Sequence, residues 1–116
     1  MKILDLPLKK EWYNMIESGD KLEEYRVIKS YWKKRLCRTK GNCDWGGYCE
    51  MSLCVNKNIH TNYTHVRFRY GYTKRTMLFE IDNITIGRGI PEWGAPTDRD
   101  VFIIKLKKRI GNEKGR

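Results

Sequence analysis

Alternating apolar and polar positions predict that much of this chain forms β-strands. His65–Tyr70 alternates cleanly, with Val66 and Phe68 on one face and arginines on the other. Gly71–Arg75 has the composition of a turn, and Thr76–Ile81 then resumes the alternation. A period of two on both sides of a short turn predicts an antiparallel hairpin.

Further segments predict strands that accompany this hairpin. The apolar positions change from odd to even numbers after Ile81, which predicts a bulge at Asp82–Asn83. The other predicted strands are Lys2–Leu6, which ends at Pro7, then Leu22–Ile28, and finally Val101–Leu106. The last of these is apolar on both faces at its start, so we expect it to be central in the sheet.

Two segments have the period of a helix. Lys9–Ser18 places Trp12 and Ile16 one turn apart, and Gly19 follows as a natural C-terminal cap. Tyr31–Leu36 predicts a second, short and basic helix. Both segments are brief, so the strands are expected to dominate the fold.

These elements predict a single α+β, mainly β domain over residues 1–116. The expected architecture is a small β-barrel of five to six strands with one or two short helices. A length of 116 residues suits one compact domain. Residues 37–62 lack clear periodicity and hold four cysteines, so we expect an inserted loop there, with one strand near Glu50–Val55.

The charge of the chain favours a polyanionic partner. The formal net charge is +10, and the window 29–40 contains six basic residues and no acid. Aromatic residues lie among the basic groups and are able to stack on unpaired bases: Tyr31, Trp32, Trp45, Tyr48, Tyr70 and Tyr72. We therefore expect RNA or a nucleotide as the partner. The alternative is a solvated basic surface over core aromatics.

The N-terminus indicates the compartment. Met1–Asp5 reaches a charge too early for a signal peptide, and no apolar run is long enough to cross a membrane. We expect a soluble, cytoplasmic protein without a membrane partner.

The cysteines and histidines do not predict a cofactor. The cysteine spacings contain no C-x-x-C pair, so reduced thiols and no metal are expected, with zinc as the alternative at Cys37, Cys43, Cys49 and Cys54. His60 and His65 are isolated and receive no role.

The segment 19–26 carries the clearest candidate chemistry. A cation, a carboxylate and a second cation lie at Lys21, Glu24 and Arg26. Strand alternation places Glu24 and Arg26 on one face and Lys21 on the other, so their convergence needs a turn after Gly19. Together the three groups can bind an anion or divide acid, base and charge-stabilising roles. The alternative is a Glu24–Arg26 ion pair that only stabilises the strand.

The segment 19–26 fits the pattern G-x-K-x-x-E-x-R, with Gly19, Lys21, Glu24 and Arg26 at its defined positions. By this pattern the chain resembles ASCH domains of the PUA-like superfamily, especially small bacterial or phage members. The likeness extends to most of the chain outside the 37–62 loop. It implies a β-barrel with a motif-lined cleft that binds RNA or nucleotides. Some members are amidohydrolases of acylated cytidine nucleosides with a catalytic motif lysine, and a ribonuclease activity is also attributed to the family. The hydrolase branch has threonine where this chain has Glu24.

The sequence and the resemblance together predict an RNA- or nucleotide-binding domain with a basic cleft. Cleft contacts are expected from Gly19, Lys21, Glu24 and Arg26, and backbone contacts outside the cleft from Lys33, Lys34 and Arg35. One alternative is a small amidohydrolase or ribonuclease with Lys21 and Glu24 as its catalytic groups. Another is a basic protein-interaction module.

Overall fold

Five strands and two helices form the part of the chain that the structure describes. The structure, a computed structural model, describes residues 1–37 and 61–111. In chain order the elements are β1 (Ile3–Leu8), α1 (Lys10–Ser18), β2 (Glu23–Val27), α2 (Ser30–Leu36), β3 (His65–Tyr70), β4 (Thr76–Gly87) and β5 (Val101–Ile110), with a 3₁₀ turn at Pro91–Trp93. The strand predicted near residues 50–55 and most of the predicted cysteine loop lie outside the described residues.

The five strands form one curled, half-barrel sheet in the order β1-β3-β4-β5-β2. β1 runs parallel to β3, and the other neighbours are antiparallel. Strands make up 44% of the described residues, which confirms the predicted α+β, mainly β class.

The main core collects apolar side chains from both helices and from four strands. Tyr13 and Ile16 of α1 are buried against Leu4, Leu6 and other strand residues. A smaller cluster on the other side of β5 contains Tyr25, Ala95, Val101 and Ile103, with Trp93 packed against it. β5 is therefore buried on both faces at its start and lies between β4 and β2, as its apolar run predicts.

Two strands extend beyond their predicted ends, and a third contains the predicted irregularity. β1 continues through Pro7 to Leu8, because an edge strand tolerates the missing amide donor of proline. β4 is one strand whose register shifts on both sides of Ile81, which confirms an irregularity next to Asp82–Asn83. β5 extends to Ile110, where it still pairs with β4.

Neither helix in residues 1–37 and 61–111 is long and apolar enough to cross a bilayer.

Candidate functional site

The turn between α1 and β2 brings Lys21 to the side of Glu24. Gly19 has φ +90°, a left-handed conformation that glycine adopts without a Cβ penalty. Its amide donates to the carbonyl of Ile16, and the amides of Asp20 and Lys21 both donate to the carbonyl of Met15. These bonds wrap the chain around the end of the helix, which supplies the turn that convergence requires.

Lys21 is buried and its ammonium is surrounded by partners. Its exposed fraction is 1%, and Nζ donates to the carbonyl oxygen of Trp93 at 2.6 Å. Glu24 Oε1 lies 3.3 Å from the same nitrogen. The rings of Trp12 and Tyr25 lie 5.5 Å and 4.7 Å from Nζ at their centroids, within the range of cation–π attraction. Lys21 therefore joins the motif to the segment that carries Trp93.

Burial lowers the pKa of Lys21 below its ordinary value. The carboxylate of Glu24 acts in the opposite direction, whereas the nearby Arg26 guanidinium lowers the pKa further. Because its partners are a backbone carbonyl and a carboxylate, the Lys21 ammonium forms a buried ion pair that fixes the surrounding structure.

Glu24 also binds Arg26, so that one carboxylate serves two cations. Arg26 Nη1 donates to Glu24 Oε2 and, at 2.9 Å, to the carbonyl of Tyr25. The Arg26 guanidinium lies 5.3 Å from the ring of Trp32 and keeps part of its surface open. The motif is thus a Lys21–Glu24–Arg26 network with one excess positive charge.

The segment after β4 closes over Tyr25. The Tyr25 hydroxyl donates to Glu23 Oε1 at 2.8 Å and accepts the amide of Ile90 at 3.0 Å. A Cβ on Gly89 would lie 2.6 Å from Tyr25 and from Ala95, so only glycine fits there without a shift. Burial raises the pKa of the Tyr25 phenol. Tyr25 therefore holds this segment against β2.

A cavity of about 240 Å³, which we call the motif cavity, opens beside this network. Its aromatic and polar lining comprises Trp12, Glu24, Tyr25, Arg26, Trp93 and Lys9, and its remaining lining residues are Pro7, Leu8 and Gly94. Lys21 is absent from this lining but contacts Glu24, which is part of it. The groups that face the cavity therefore include one carboxylate, two cations and three aromatic rings.

The predicted site residues fall into two places. Lys21, Glu24 and Arg26 form one network, and Gly19 shapes the turn that leads into it. The three residues predicted to contact the backbone lie on α2, namely Lys33, Lys34 and Arg35. Lys34 and Arg35 also line a separate cavity of about 200 Å³, together with Lys2, Cys37, Asn62 and Tyr63. Arg26 and Arg35 share the ring of Trp32 as a neighbour.

Of the residues that line the motif cavity, sequence reasoning singled out only Glu24 and Arg26; the groups it missed include Trp12, Lys9 and Trp93. Trp12 reads as a core residue of an amphipathic helix, and Lys9 reads as ordinary surface charge. Trp93 lies in the 3₁₀ turn Pro91–Trp93 and is partly buried, and a tryptophan in a connecting segment is itself a signal of a binding surface. Their meeting depends on the contact between Lys21 and Trp93 across the fold, which no local pattern encodes.

Of the cysteines and histidines considered as metal ligands, the structure describes only Cys37 and His65. Cys37 is buried at the end of α2, whereas Cys43, Cys49 and Cys54 lie outside the described residues, as does His60. Within residues 1–37 and 61–111, no group of three metal-ligating side chains comes together. The Nδ1 atom of His65 is hydrogen-bonded to the hydroxyl oxygen of its neighbour Thr64 at 2.7 Å.

No protein-family model matches the chain, and comparisons with curated proteins and with solved structures find no significant match.

Proposed function

We propose that this domain binds RNA or a nucleotide, with a base and its phosphate in the motif cavity. The observation that carries the proposal is the lining of this cavity, in which Glu24 and Arg26 stand beside Trp12 and Trp93. The resemblance of the G-x-K-x-x-E-x-R segment to ASCH domains supports the same class of ligand.

The charged groups suit the edge of a base and a phosphate. Carboxylates accept hydrogen bonds from base amino groups such as N4 of cytosine, and Glu24 keeps acceptor capacity beyond its two cations. Arginine has five donors, of which Arg26 uses only some, and the rest suit a phosphate or a base carbonyl. A net positive lining favours an anionic ligand.

The size and the aromatic rings favour one nucleotide unit in this cavity. Pockets for drug-sized ligands usually have volumes of about 300–1,000 Å³. A volume of about 240 Å³ lies just below that range and suits a small ligand. Tryptophan rings supply stacking surface, which stabilises bound bases regardless of sequence.

The geometry favours binding over catalysis. A catalytic lysine must reach the substrate, whereas Lys21 is 1% exposed and its ammonium is engaged by Trp93 and Glu24. Lys21 therefore fixes the cavity. The partly exposed Arg26 and Glu24, which is 5% exposed but lines the cavity, contact the ligand.

Calorimetric titration with cytidine 5′-monophosphate tests the proposal. Arg26→Leu removes a charged donor and is expected to weaken binding about 10- to 150-fold. Arg99→Leu removes the same charge at an exposed site that pairs with its neighbour Asp98, and it should leave the affinity within about twofold.

Two results would contradict the proposal. One is the absence of binding by the wild-type protein at low salt, where phosphate contacts are strongest. The other is equal competition by polyglutamate, which would indicate a basic protein-interaction module instead.

A further inference from the structure

A third cavity adjoins the motif cavity. Its volume is about 430 Å³, and it shares Pro7, Leu8 and Lys9 with the motif cavity. Its other lining residues are Lys10, Glu11, Gly71 and Tyr72, and we call it the hairpin cavity. The connection from β1 to α1 is therefore the common border of two neighbouring depressions.

Tyr72 is a large, open aromatic surface at the hairpin cavity. Its side chain is 95% exposed at the tip of the β3–β4 turn. The backbone beneath it is fixed, because the amide of Gly71 donates to the carbonyl of Leu8 at 2.9 Å. Gly71 has φ +60°, which keeps this turn tight. A ring that is 95% exposed on an anchored turn is suited to stacking against a ligand.

The charges at the shared border favour a phosphate between the two cavities. Lys9 lines both cavities and is exposed, and Lys10 beside it is exposed as well. Glu11 is the single acid that lines the hairpin cavity. A cationic border with aromatic rings on both sides matches the backbone and bases of a single strand.

We propose that the natural ligand is a single-stranded oligonucleotide of at least two nucleotides, bound across both cavities. One base occupies the motif cavity, the connecting phosphate passes Lys9, and the next base stacks on Tyr72. This inference rests on the proposed function, since it extends the same ligand beyond the motif cavity.

Affinities for cytidine 5′-monophosphate and for the ribodinucleotide CpC test the extension, with Tyr72→Ala and Tyr72→Phe as the variants. A stacked base contributes about 5- to 150-fold in affinity, so CpC is expected to bind more tightly than the mononucleotide by such a factor. Tyr72→Ala should abolish this gain and leave mononucleotide binding unchanged. Tyr72→Phe keeps the ring and should keep the gain.

Lys9→Gln gives a second readout. Loss of one phosphate contact should reduce the slope of log affinity against log salt by about 0.7 for a longer oligocytidylate.

The inference is overturned if the mononucleotide binds but CpC binds no more tightly, or if Tyr72→Ala leaves the gain intact. The proposed function survives that result. Failure of both ligands to bind instead refutes the proposed function and the extension with it. An equal loss of both affinities in Tyr72→Ala also contradicts the extension, because Tyr72 does not line the motif cavity.

Discussion

The ammonium nitrogen of Lys21 lies 2.6 Å from the carbonyl oxygen of Trp93, 72 residues further along the chain. This bond ties the start of β2 to the segment that brings Trp93 to the motif cavity. The same ammonium pairs with Glu24, so one buried charge contacts two residues of the cavity lining, Trp93 and Glu24. Lys21 is thus a supporting residue of the cavity.

Lys21→Met should destabilise the domain. The change removes the donor to Trp93 and one of the two cations at Glu24, while Arg26 continues to neutralise the carboxylate. We expect a loss of roughly 3 kcal/mol in unfolding free energy, at the low end for breaking a buried pair. Urea unfolding measures it, with the exposed Lys34→Met as the control, expected within about 0.5 kcal/mol of wild type. A fully stable Lys21→Met protein would contradict the supporting role.

The stability difference between wild type and Lys21→Met should depend on pH. Burial lowers the pKa of Lys21 from 10.5, so between the lowered value and 10.5 the unfolded chain binds a proton that the folded chain lacks. The unfolding free energy of the wild type therefore rises with pH in that window, relative to the variant.

Urea unfolding of both proteins from pH 7 to pH 10 measures this slope. The raised pKa of Tyr25 has the opposite effect above pH 10, because the unfolded chain then loses its proton first. Tyr25 is present in both proteins and largely cancels in the comparison. A difference that falls with pH below 10 would show that the pKa of Lys21 is raised.

Gly89→Ala should be costly, whereas Gly87→Ala should not. A Cβ at position 89 would lie 2.6 Å from Tyr25, so the ring or the whole segment must move. Overpacking of this kind costs about 1–3 kcal/mol. At Gly87 the nearest contact of a new Cβ is Ile103 at 3.6 Å, an ordinary distance. Thermal unfolding and nucleotide affinity should both fall for Gly89→Ala alone, and equal behaviour of the two variants would refute this packing.

Acylated cytidine should bind without being hydrolysed. The Lys21 ammonium is engaged by Trp93 and Glu24 and is absent from the cavity lining. Chromatography of N4-acetylcytidine after incubation with the protein should recover it intact. Turnover that disappears in Lys21→Met would instead favour the amidohydrolase alternative.

Much of the fold is predictable from the sequence because its signals are local. The period of two over His65–Tyr70, the helical period before Gly19 and the parity change near Asp82 each appear in the structure. Exact strand ends are less predictable. Pro7 marks an end by its own propensity, yet the edge position of β1 lets the strand continue to Leu8.

The candidate site is predictable only in part. Sequence spacing singles out Lys21, Glu24 and Arg26, and the glycine turn accounts for their meeting. Trp93 joins them through contacts between residues far apart in the chain, so its role depends on the tertiary fold. The burial of Lys21 also depends on the tertiary fold, because its ammonium contacts the segment after β4.

The most direct test of the central claim is an NMR titration with cytidine 5′-monophosphate that follows the backbone amides and the tryptophan indoles. We expect the largest shift changes at Trp12, Glu24, Arg26 and Trp93, with saturation at one equivalent per chain. Changes confined to α2 or to β5, or none at all, would contradict the claim that the motif cavity is the ligand site.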